Sequence, residues 1–275
     1  MKIVYIGSGL SSLAAFLAFN KNYKPKKQII YGDKISVIKD FIFDVHYSPQ
    51  LYDFFNELNL IKNVYLKKIA IDIDNKVVPF NKIEKSIQIK IIQEHSKKTW
   101  SKLFLDYKAK KSTIIKDEYA VIQLKKNWQE KIIKKFEIES YFQKRKFIKM
   151  SQIKKIAQNS DITFSSLSTN TFLGKWKKII VSKLESKLKN NYDIIYFPFS
   201  EDVSRIWKKE NNWYVEYFSD SNKGVDAYPV KNIYPMFYDK YNINYVGRYA
   251  TGSKQLFSDI FQKIMDGEIY YERKI

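Results

Sequence analysis

The start of the chain shows the pattern of a strand, a helix and a second strand. Lys2–Ile6 is a short apolar run rich in strand-forming residues, as expected for a strand buried on both faces. Between residues 10 and 20 the apolar positions recur at helical spacing, and the polar stretch that follows contains Pro25, which ends the helix. Gln28–Tyr31 is again short and apolar. This order predicts a β-α-β unit with parallel strands.

The pattern that follows predicts a further helix and a hairpin. Residues 43–60 begin as an extended segment and continue into a helix after Pro49. Residues 64–80 alternate between apolar and polar side chains, with turn-forming Asp74 and Asn75 near the middle. Alternation interrupted by such a pair is typical of a β-hairpin.

A change in amino-acid composition divides the chain into two predicted domains. Residues 81–173 contain neither glycine nor proline, which favours helices over a sheet with tight turns. Within them, residues 84–150 carry 18 Lys and Arg against 8 Asp and Glu. The sequence therefore predicts a basic, mainly helical subdomain over residues 81–173. It would be inserted into an α/β domain formed by residues 1–80 and 174–275.

The remainder of the chain combines a predicted helix with short strands. Residues 175–190 have the apolar spacing of an amphipathic helix. A final helix is expected over residues 253–266. Between these helices lie short strand-like runs, at 194–197, 203–207, 213–218 and 230–234.

The net charge of +20 has two interpretations that the sequence leaves open. Excess positive charge is typical of proteins that bind nucleic acid, and the basic segment 84–150 would then do the binding. However, only four of the 49 basic residues are arginine, the residue that pairs bidentately with phosphate. The scarcity of arginine favours the second interpretation, lysine-rich, solvated surfaces in a protein encoded by an AT-rich genome.

The chain has no cysteine, which excludes disulfides, thiolate nucleophiles and thiolate metal sites. No apolar run reaches the ~20 residues that span a bilayer. A Gly-Ser-Gly turn splits the apolar N-terminus, so a signal peptide is not expected. Neither His46 nor His95 has a partner at metal-ligand spacing, and no metal site is predicted. These features favour a cytoplasmic protein without a membrane span.

The loop between the first strand and helix has the form G-x-G-x-x-S. The first glycine permits a tight turn, and the second lets a pyrophosphate approach the positive end of the helix. A small third residue allows the helix to pack closely on the strand. An acidic residue beyond the second strand would hold a ribose hydroxyl, and Asp33 is the candidate. The expected contacts in the loop itself are Gly7, Ser8, Gly9, Leu10, Ser11 and Ser12.

A second glycine loop, between Gly247 and Gly252, again joins an apolar run to a predicted helix. Its amides would contact a second part of an extended cofactor. FAD is long enough for such a contact, whereas a ligand with one phosphate is not. The expected contacts there are Gly247, Arg248, Tyr249 and Ala250.

These stretches together resemble the FAD-binding fold shared by flavin amine oxidases, protoporphyrinogen oxidase and UDP-galactopyranose mutase. The resemblance follows the family's order through IVYIGSGLSSLAAFLAF, FDVHYSPQLYDFFNELNL, VVPF, RIWKKENNWYVEY and YVGRYATGSKQLFSDIFQKI. It implies a Rossmann-like α/β domain that binds FAD, with additional β-strands. The chain departs from the family at Ser12, where a third glycine is usual, and in lacking the Gly-Gly-Arg segment after the second strand. The resemblance supplies no catalytic residue.

Three functions follow as hypotheses. The first is an FAD-dependent oxidoreductase that acts on an amine or similar small molecule. The second is a mutase-like flavoenzyme that acts on a sugar nucleotide, which the scarcity of arginine disfavours. The third is a flavoprotein that binds or modifies nucleic acid through segment 84–150.

Overall fold

The structure is a computed structural model that describes two compact units. Unit 1 comprises residues 1–64, 122–174 and 233–275, and unit 2 comprises residues 65–121 and 175–232. The described residues are 1–7, 9–32, 44–98, 117–145, 150–167, 176–185, 188, 190–219, 226–229, 243–246 and 257–268.

The described elements are strands and short helices that alternate along the chain. The strands are β1 Lys2–Ile6, β2 Lys27–Gly32, β3 Val45–His46, β4 Ile61–Ile73, β5 Lys76–Val78, β6 Glu118–Leu124, β7 Phe142–Lys144, β8 Ile162–Ser165, β9 Trp176–Leu184, β10 Ile194–Tyr196, β11 Val203–Lys209, β12 Asn212–Ser219, β13 Asp226–Pro229 and β14 Ile243–Tyr245. The α-helices are α1 Leu10–Tyr23, α2 Pro49–Glu57, α3 Lys85–Lys98, α4 Trp128–Lys135, α5 Met150–Gln158 and α6 Phe257–Met265, and 3₁₀ turns cover Phe80–Lys82 and Ile138–Tyr141.

Unit 1 is built on a five-stranded sheet in the order β14-β8-β1-β2-β7. Every pair of neighbouring strands in it is parallel. The central strand β1 is buried on both faces. Its alternate residues Ile3 and Tyr5 join one core cluster, whereas Val4 and Ile6 join another. A parallel sheet covered on both faces explains why β1 is a short, continuous apolar run from Ile3 to Ile6.

Helix α1 covers one face of this sheet. All eight residues from Ser12 to Phe19 are buried, so the helix has no solvent-facing stripe over two turns. Rings from the helix pack on the sheet, with Phe16 and Phe19 both within 6 Å of rings on neighbouring strands. Helix α6 packs against α1, and α5 contributes Ile153 and Ala157 to the core on the opposite face of the sheet. Unit 1 is therefore a three-layer α/β arrangement.

A hydrogen-bonded polar pair joins β1 and β2 inside unit 1. The Tyr5 hydroxyl on β1 donates to Gln28 Oε1 on β2 over 2.9 Å, and both side chains are buried. Burial raises the pKa of Tyr5 well above its ordinary value, because the phenolate would lose its hydration. The hydroxyl therefore stays protonated and satisfies the buried amide oxygen.

Unit 2 contains most of a second, mixed sheet in the order β13-β9-β12-β11-β10-β4-β6, with β5 paired to β4. The pairings of β9 with β12, β12 with β11 and β11 with β10 are antiparallel, whereas β10 runs parallel to β4. The β4–β5 turn places Asp74 and Asn75 at φ values of 51° and 64°. Two successive positive φ values are typical of a tight hairpin turn. The predicted hairpin is confirmed at this turn.

A buried ion pair lies across β11 and β12. Arg205 and Glu216 are direct cross-strand partners, and the guanidinium donates twice to Glu216 Oε2, from Nε over 3.2 Å and from Nη2 over 3.0 Å. The Glu216 side chain is only 1% exposed. The guanidinium also lies 5.0 Å from the centre of the Trp207 ring. This pair fixes the register of the two strands at a point where Ser204 introduces an irregularity.

The predicted α/β fold class is confirmed, with its parallel sheet and its additional strands. The predicted domain boundaries do not match the two units. Residues 81–173 contain α3, but they also contain β6, β7 and β8, and the last two belong to the parallel sheet of unit 1. Absence of glycine and proline was a poor guide here, because parallel strands are connected by helices and need no tight turns.

The predicted amphipathic helix over residues 175–190 is also wrong. Trp176–Leu184 forms β9, which pairs with β12 on one side and β13 on the other. Its Ile179-Ile180-Val181 run is β-branched and fits a strand with a neighbour on each edge. The predicted strand over residues 230–234 lies outside the described residues.

The described helices include none that is both long and apolar enough to cross a membrane.

Candidate functional site

The carboxyl ends of the parallel strands of unit 1 meet at one edge of the sheet, here called the carboxyl edge. It consists of the residues that end or follow each strand: Gly7 after β1, Gly32 at the end of β2, Arg145 after β7, Ser166 after β8 and Val246 after β14. In open parallel α/β sheets ligands bind outside this edge. The glycine loop predicted from the sequence lies there.

Gly7 makes the turn out of β1 in a conformation that side chains rarely adopt. Its φ is +98°, and its amide donates to the Tyr31 carbonyl oxygen over 2.7 Å. A Cβ atom at this position would lie 2.3 Å from Ser166 Oγ. Glycine is therefore favoured by both the backbone dihedral and the nearby side-chain hydroxyl of Ser166.

Gly9 begins helix α1 under quite different constraints. It is extended, at φ −81° and ψ 175°, and its carbonyl accepts a hydrogen bond from the Leu13 amide over 3.1 Å. A Cβ atom added here would meet no described atom within 4 Å. The space beside Gly9 is open, so its lack of a side chain is not needed for packing.

The N-terminus of α1 is suited to an anion. Among the described residues no side chain caps it, and its first turn carries no acidic residue. The first amides of a helix have no intrahelical acceptor, and the helix dipole adds a partial positive charge there. Leu10 and Ser11, in this first turn, are partly exposed. A phosphate beside Gly9 would meet these amides without displacing a side chain.

Ser12 replaces the third glycine of the loop and forms a specific contact. It is 2% exposed, and its hydroxyl donates to Ser166 Oγ over 2.8 Å. Ser166 in turn donates its amide to the Ile6 carbonyl oxygen over 2.9 Å. The hydroxyl pair thus joins α1 to the end of β8, where a third glycine would give only close packing. Ser12 is buried at this contact, its expected contact with a cofactor stays a prediction, and sequence analysis missed its partner Ser166.

A second contact that sequence analysis missed lies at the end of β2. The guanidinium carbon of Arg145 is 5.4 Å from the centre of the Tyr31 ring, and the Arg145 amide donates to the Gly32 carbonyl oxygen over 3.3 Å. The sequence assigned Arg145 only to a basic segment. The rarity of arginine in this lysine-rich chain is the signal that could have identified Arg145.

Several predicted site residues lie outside the described residues and remain predictions. They are Ser8, Asp33, Gly247, Arg248, Tyr249 and Ala250. His46 lies in β3 and is partly buried, and the side chain of His95 is not among those described. In the described part of the chain, His, Asp and Glu residues form no group of three that could hold a metal ion.

A separate groove in unit 1 is lined by residues of the basic segment 84–150 and by two leucines between α2 and β4. It encloses about 440 Å³ beside the C-terminal half of α4. Its lining consists of two leucines and three exposed lysines: Leu58, Leu60, Lys131, Lys134 and Lys135. The lysines are spaced three and four residues apart, which places them on one face of the helix.

No protein-family model matches the chain, and no curated protein matches it. Solved structures do match. A reduced UDP-galactopyranose mutase is 10% identical, with a TM-score of 0.47, over 82% of this chain and 74% of that one. A flavin-dependent halogenase from Xanthomonas campestris is 10% identical, with a TM-score of 0.47, over 96% and 70%. Cyclohexylamine oxidase from Brevibacterium oxydans IH-35A is 8% identical, with a TM-score of 0.44, over 79% and 74%. The chain is similar to these proteins in fold.

Proposed function

We propose that the protein binds FAD at the carboxyl edge of unit 1 and is a flavin-dependent oxidoreductase that acts on an amine or similar small molecule. One observation carries the proposal. The Gly7–Gly9 turn leads from the central strand of an all-parallel sheet into a helix whose N-terminus has no capping side chain among the described residues. This arrangement is typical of the phosphate-binding part of a dinucleotide-binding fold.

The described residues fit the pyrophosphate of such a cofactor. The open space beside Gly9 lets the phosphates approach the backbone, and the first-turn amides of α1 donate to them. The Ser12–Ser166 hydrogen bond holds the start of α1 against β8, so the amides keep their direction. Burial of every α1 residue from Ser12 to Phe19 holds the helix that carries these amides in place.

Two features of the sequence support FAD over a smaller nucleotide. The glycine loops at Gly7–Gly9 and Gly247–Gly252 lie at opposite ends of the chain, and an extended dinucleotide uses contacts from both. The flavin-family motifs also occur in the family's order. A bound flavin would supply the redox chemistry, and the protein would bind and orient the cofactor and substrate.

The cofactor proposal predicts that purified protein carries flavin absorbance or binds added FAD more tightly than NAD or NADPH. The reason is that FAD alone of the three matches both the glycine turn and the family motifs. The measurement is an absorption spectrum followed by titration with each nucleotide. A colourless protein that binds none of them, or one that selects NADPH, would contradict the proposal.

The reaction can be tested on protein that holds FAD. Anaerobic mixing with candidate amines should bleach the flavin absorbance if the protein is an oxidoreductase. For the mutase alternative, sugar nucleotides would rearrange only after chemical reduction of the flavin, without net electron transfer. If neither result is obtained, the oxidoreductase proposal is wrong and FAD has an accessory role.

A second candidate function is nucleic-acid binding through the basic segment 84–150. The supporting observation is the α4 groove, where Lys131, Lys134 and Lys135 are exposed on one helix face. Each lysine that neutralises a phosphate releases a counterion, so binding would weaken steeply with salt.

This candidate predicts that reversing all three groove lysines to glutamate weakens DNA or RNA binding regardless of base sequence. The slope of log affinity against log salt concentration should also fall by about 2–3, since each lost phosphate contact removes about 0.7–0.9. A matched control reverses three exposed lysines elsewhere, Lys26, Lys27 and Lys76. Equal effects of both triple variants would indicate net charge alone, and no binding at about 50 mM salt would reject the candidate.

A further inference from the structure

Tyr31 and Arg145 come from different strands but meet at one point of the carboxyl edge. Strand β7 runs parallel to β2, with Tyr31 opposite Gln143 and Gly32 opposite Lys144. Arg145 is the first residue after β7, and its amide hydrogen bond to Gly32 holds the chain beside the end of β2. Parallel pairing therefore places an arginine where β2 leaves the sheet.

Tyr31 is joined to the glycine turn through its backbone and contacts Arg145 through its ring. The Tyr31 carbonyl accepts the Gly7 amide over 2.7 Å, so the backbone that carries the ring is joined to the turn. The ring itself is half-buried, and the guanidinium carbon of Arg145 lies 5.4 Å from its centre. This distance is within the range of a cation–π interaction. Arg145 remains exposed, so it can also contact a ligand.

The position of Arg145 at the end of β2 determines which part of a bound dinucleotide would lie near its guanidinium. With the pyrophosphate at the N-terminus of α1, the adenosine half extends toward the end of the second strand of the β-α-β unit. That end is Gly32, where Arg145 is anchored. A guanidinium is planar and stacks on aromatic rings, whereas a lysine ammonium carries the same charge without a plane. In a chain with only four arginines, this position holds one of them.

We propose that Arg145, supported by the Tyr31 ring, stacks on the adenine of the bound dinucleotide and so determines selectivity for its adenosine half. This inference rests on the proposed function, because it assumes that the pyrophosphate lies at the N-terminus of α1. It adds a contact from β7, outside the β-α-β unit that the sequence motif covers.

A comparison of the affinities for FAD and FMN tests this role, since FMN lacks the adenosine half. Arg145→Ala should weaken FAD binding about tenfold, as expected for loss of one cation–π or stacking contact, and leave FMN binding unchanged. Arg145→Lys should recover only a small part of this loss, because an ammonium keeps the charge but has no plane to stack on the adenine. The control Lys144→Ala removes a positive charge from the neighbouring exposed position and should change neither affinity. Flavin fluorescence titration measures all of these values.

Other results would overturn the proposal. Unchanged FAD affinity in Arg145→Ala shows that the residue makes no contact. Equal loss of FAD and FMN affinity shows a general effect on the site. Wild-type affinity in Arg145→Lys shows that the charge acts on a phosphate. Thermal unfolding of the unliganded variants checks that the fold is kept. If the wild-type protein binds neither FAD nor ADP, the proposed function fails together with this inference, whereas FAD binding that ignores Arg145 overturns this inference alone.

Discussion

Replacing Gly9 by valine is expected to abolish FAD binding while the protein stays folded. The backbone at Gly9 is extended, which valine adopts readily, and a Cβ atom added there meets no described atom within 4 Å. Its branched carbons would instead occupy the open space where the pyrophosphate must approach the amides of α1. Flavin binding and thermal unfolding, measured on the same preparation, separate the two effects.

Gly7→Ala is the matched variant, and unlike Gly9→Val it is expected to destabilise the protein itself. A φ of +98° strains any residue with a Cβ atom, which costs about 1–3 kcal/mol of the free energy of unfolding. The clash with Ser166 Oγ, 2.3 Å away, adds to this loss. Gly7→Ala should therefore lower stability even without cofactor, whereas Gly9→Val should not. If Gly9→Val binds FAD normally, the phosphate site is assigned to the wrong loop.

Removing Arg205 is expected to cost about 3–5 kcal/mol of the free energy of unfolding, the usual effect of breaking a buried ion pair. Glu216 is 1% exposed, and within the described structure Arg205 donates both hydrogen bonds to its Oε2 while Oε1 has no hydrogen-bond partner. In Arg205→Ala the Glu216 carboxylate would still be buried, but the positive charge that offsets the free-energy cost of its burial would be gone. Urea unfolding of the cofactor-free protein measures the difference.

The control is a double variant in which Arg205→Met accompanies Glu216→Leu. Replacing both charges with apolar side chains removes the unpaired carboxylate, so most of the lost stability should return. A double variant as unstable as Arg205→Ala would instead assign the loss to packing of the arginine, whose guanidinium lies 5.0 Å from the Trp207 ring. A loss below about 1 kcal/mol, typical of an exposed pair, would contradict the prediction.

The first strand, turn, helix and second strand could be predicted because their pattern is local. Lys2–Ile6 forms β1 as expected, and the predicted second strand extends by one residue at each end, to Lys27–Gly32. The hairpin after it was also predictable, since Asp74 and Asn75 adopt positive φ with little strain. In each case neighbouring residues carry the whole signal.

Strands β7 and β8 were missed because they are short and isolated in sequence. Phe142–Lys144 has three residues, and Ile162–Ser165 has four. A strand of this length is stabilised by its neighbours in the sheet, which lie more than 100 residues away for β8 and β1. Similarly, the apolar residues of β9 fit helical spacing as well as a strand. Only its pairing with β12 and β13 makes it extended.

The sequence by itself determined the glycine turn between β1 and α1, because two glycines within three consecutive residues, between an apolar strand and an apolar helix, form a local pattern. Only the tertiary structure decided what surrounds that turn. Parallel pairing of β8 with β1 brings Ser166 to Ser12, 154 residues away, and pairing of β7 with β2 brings Arg145 to Tyr31. Long-range register of this kind follows from burial of both sheet faces at once, a property of the assembled layers that no local pattern contains.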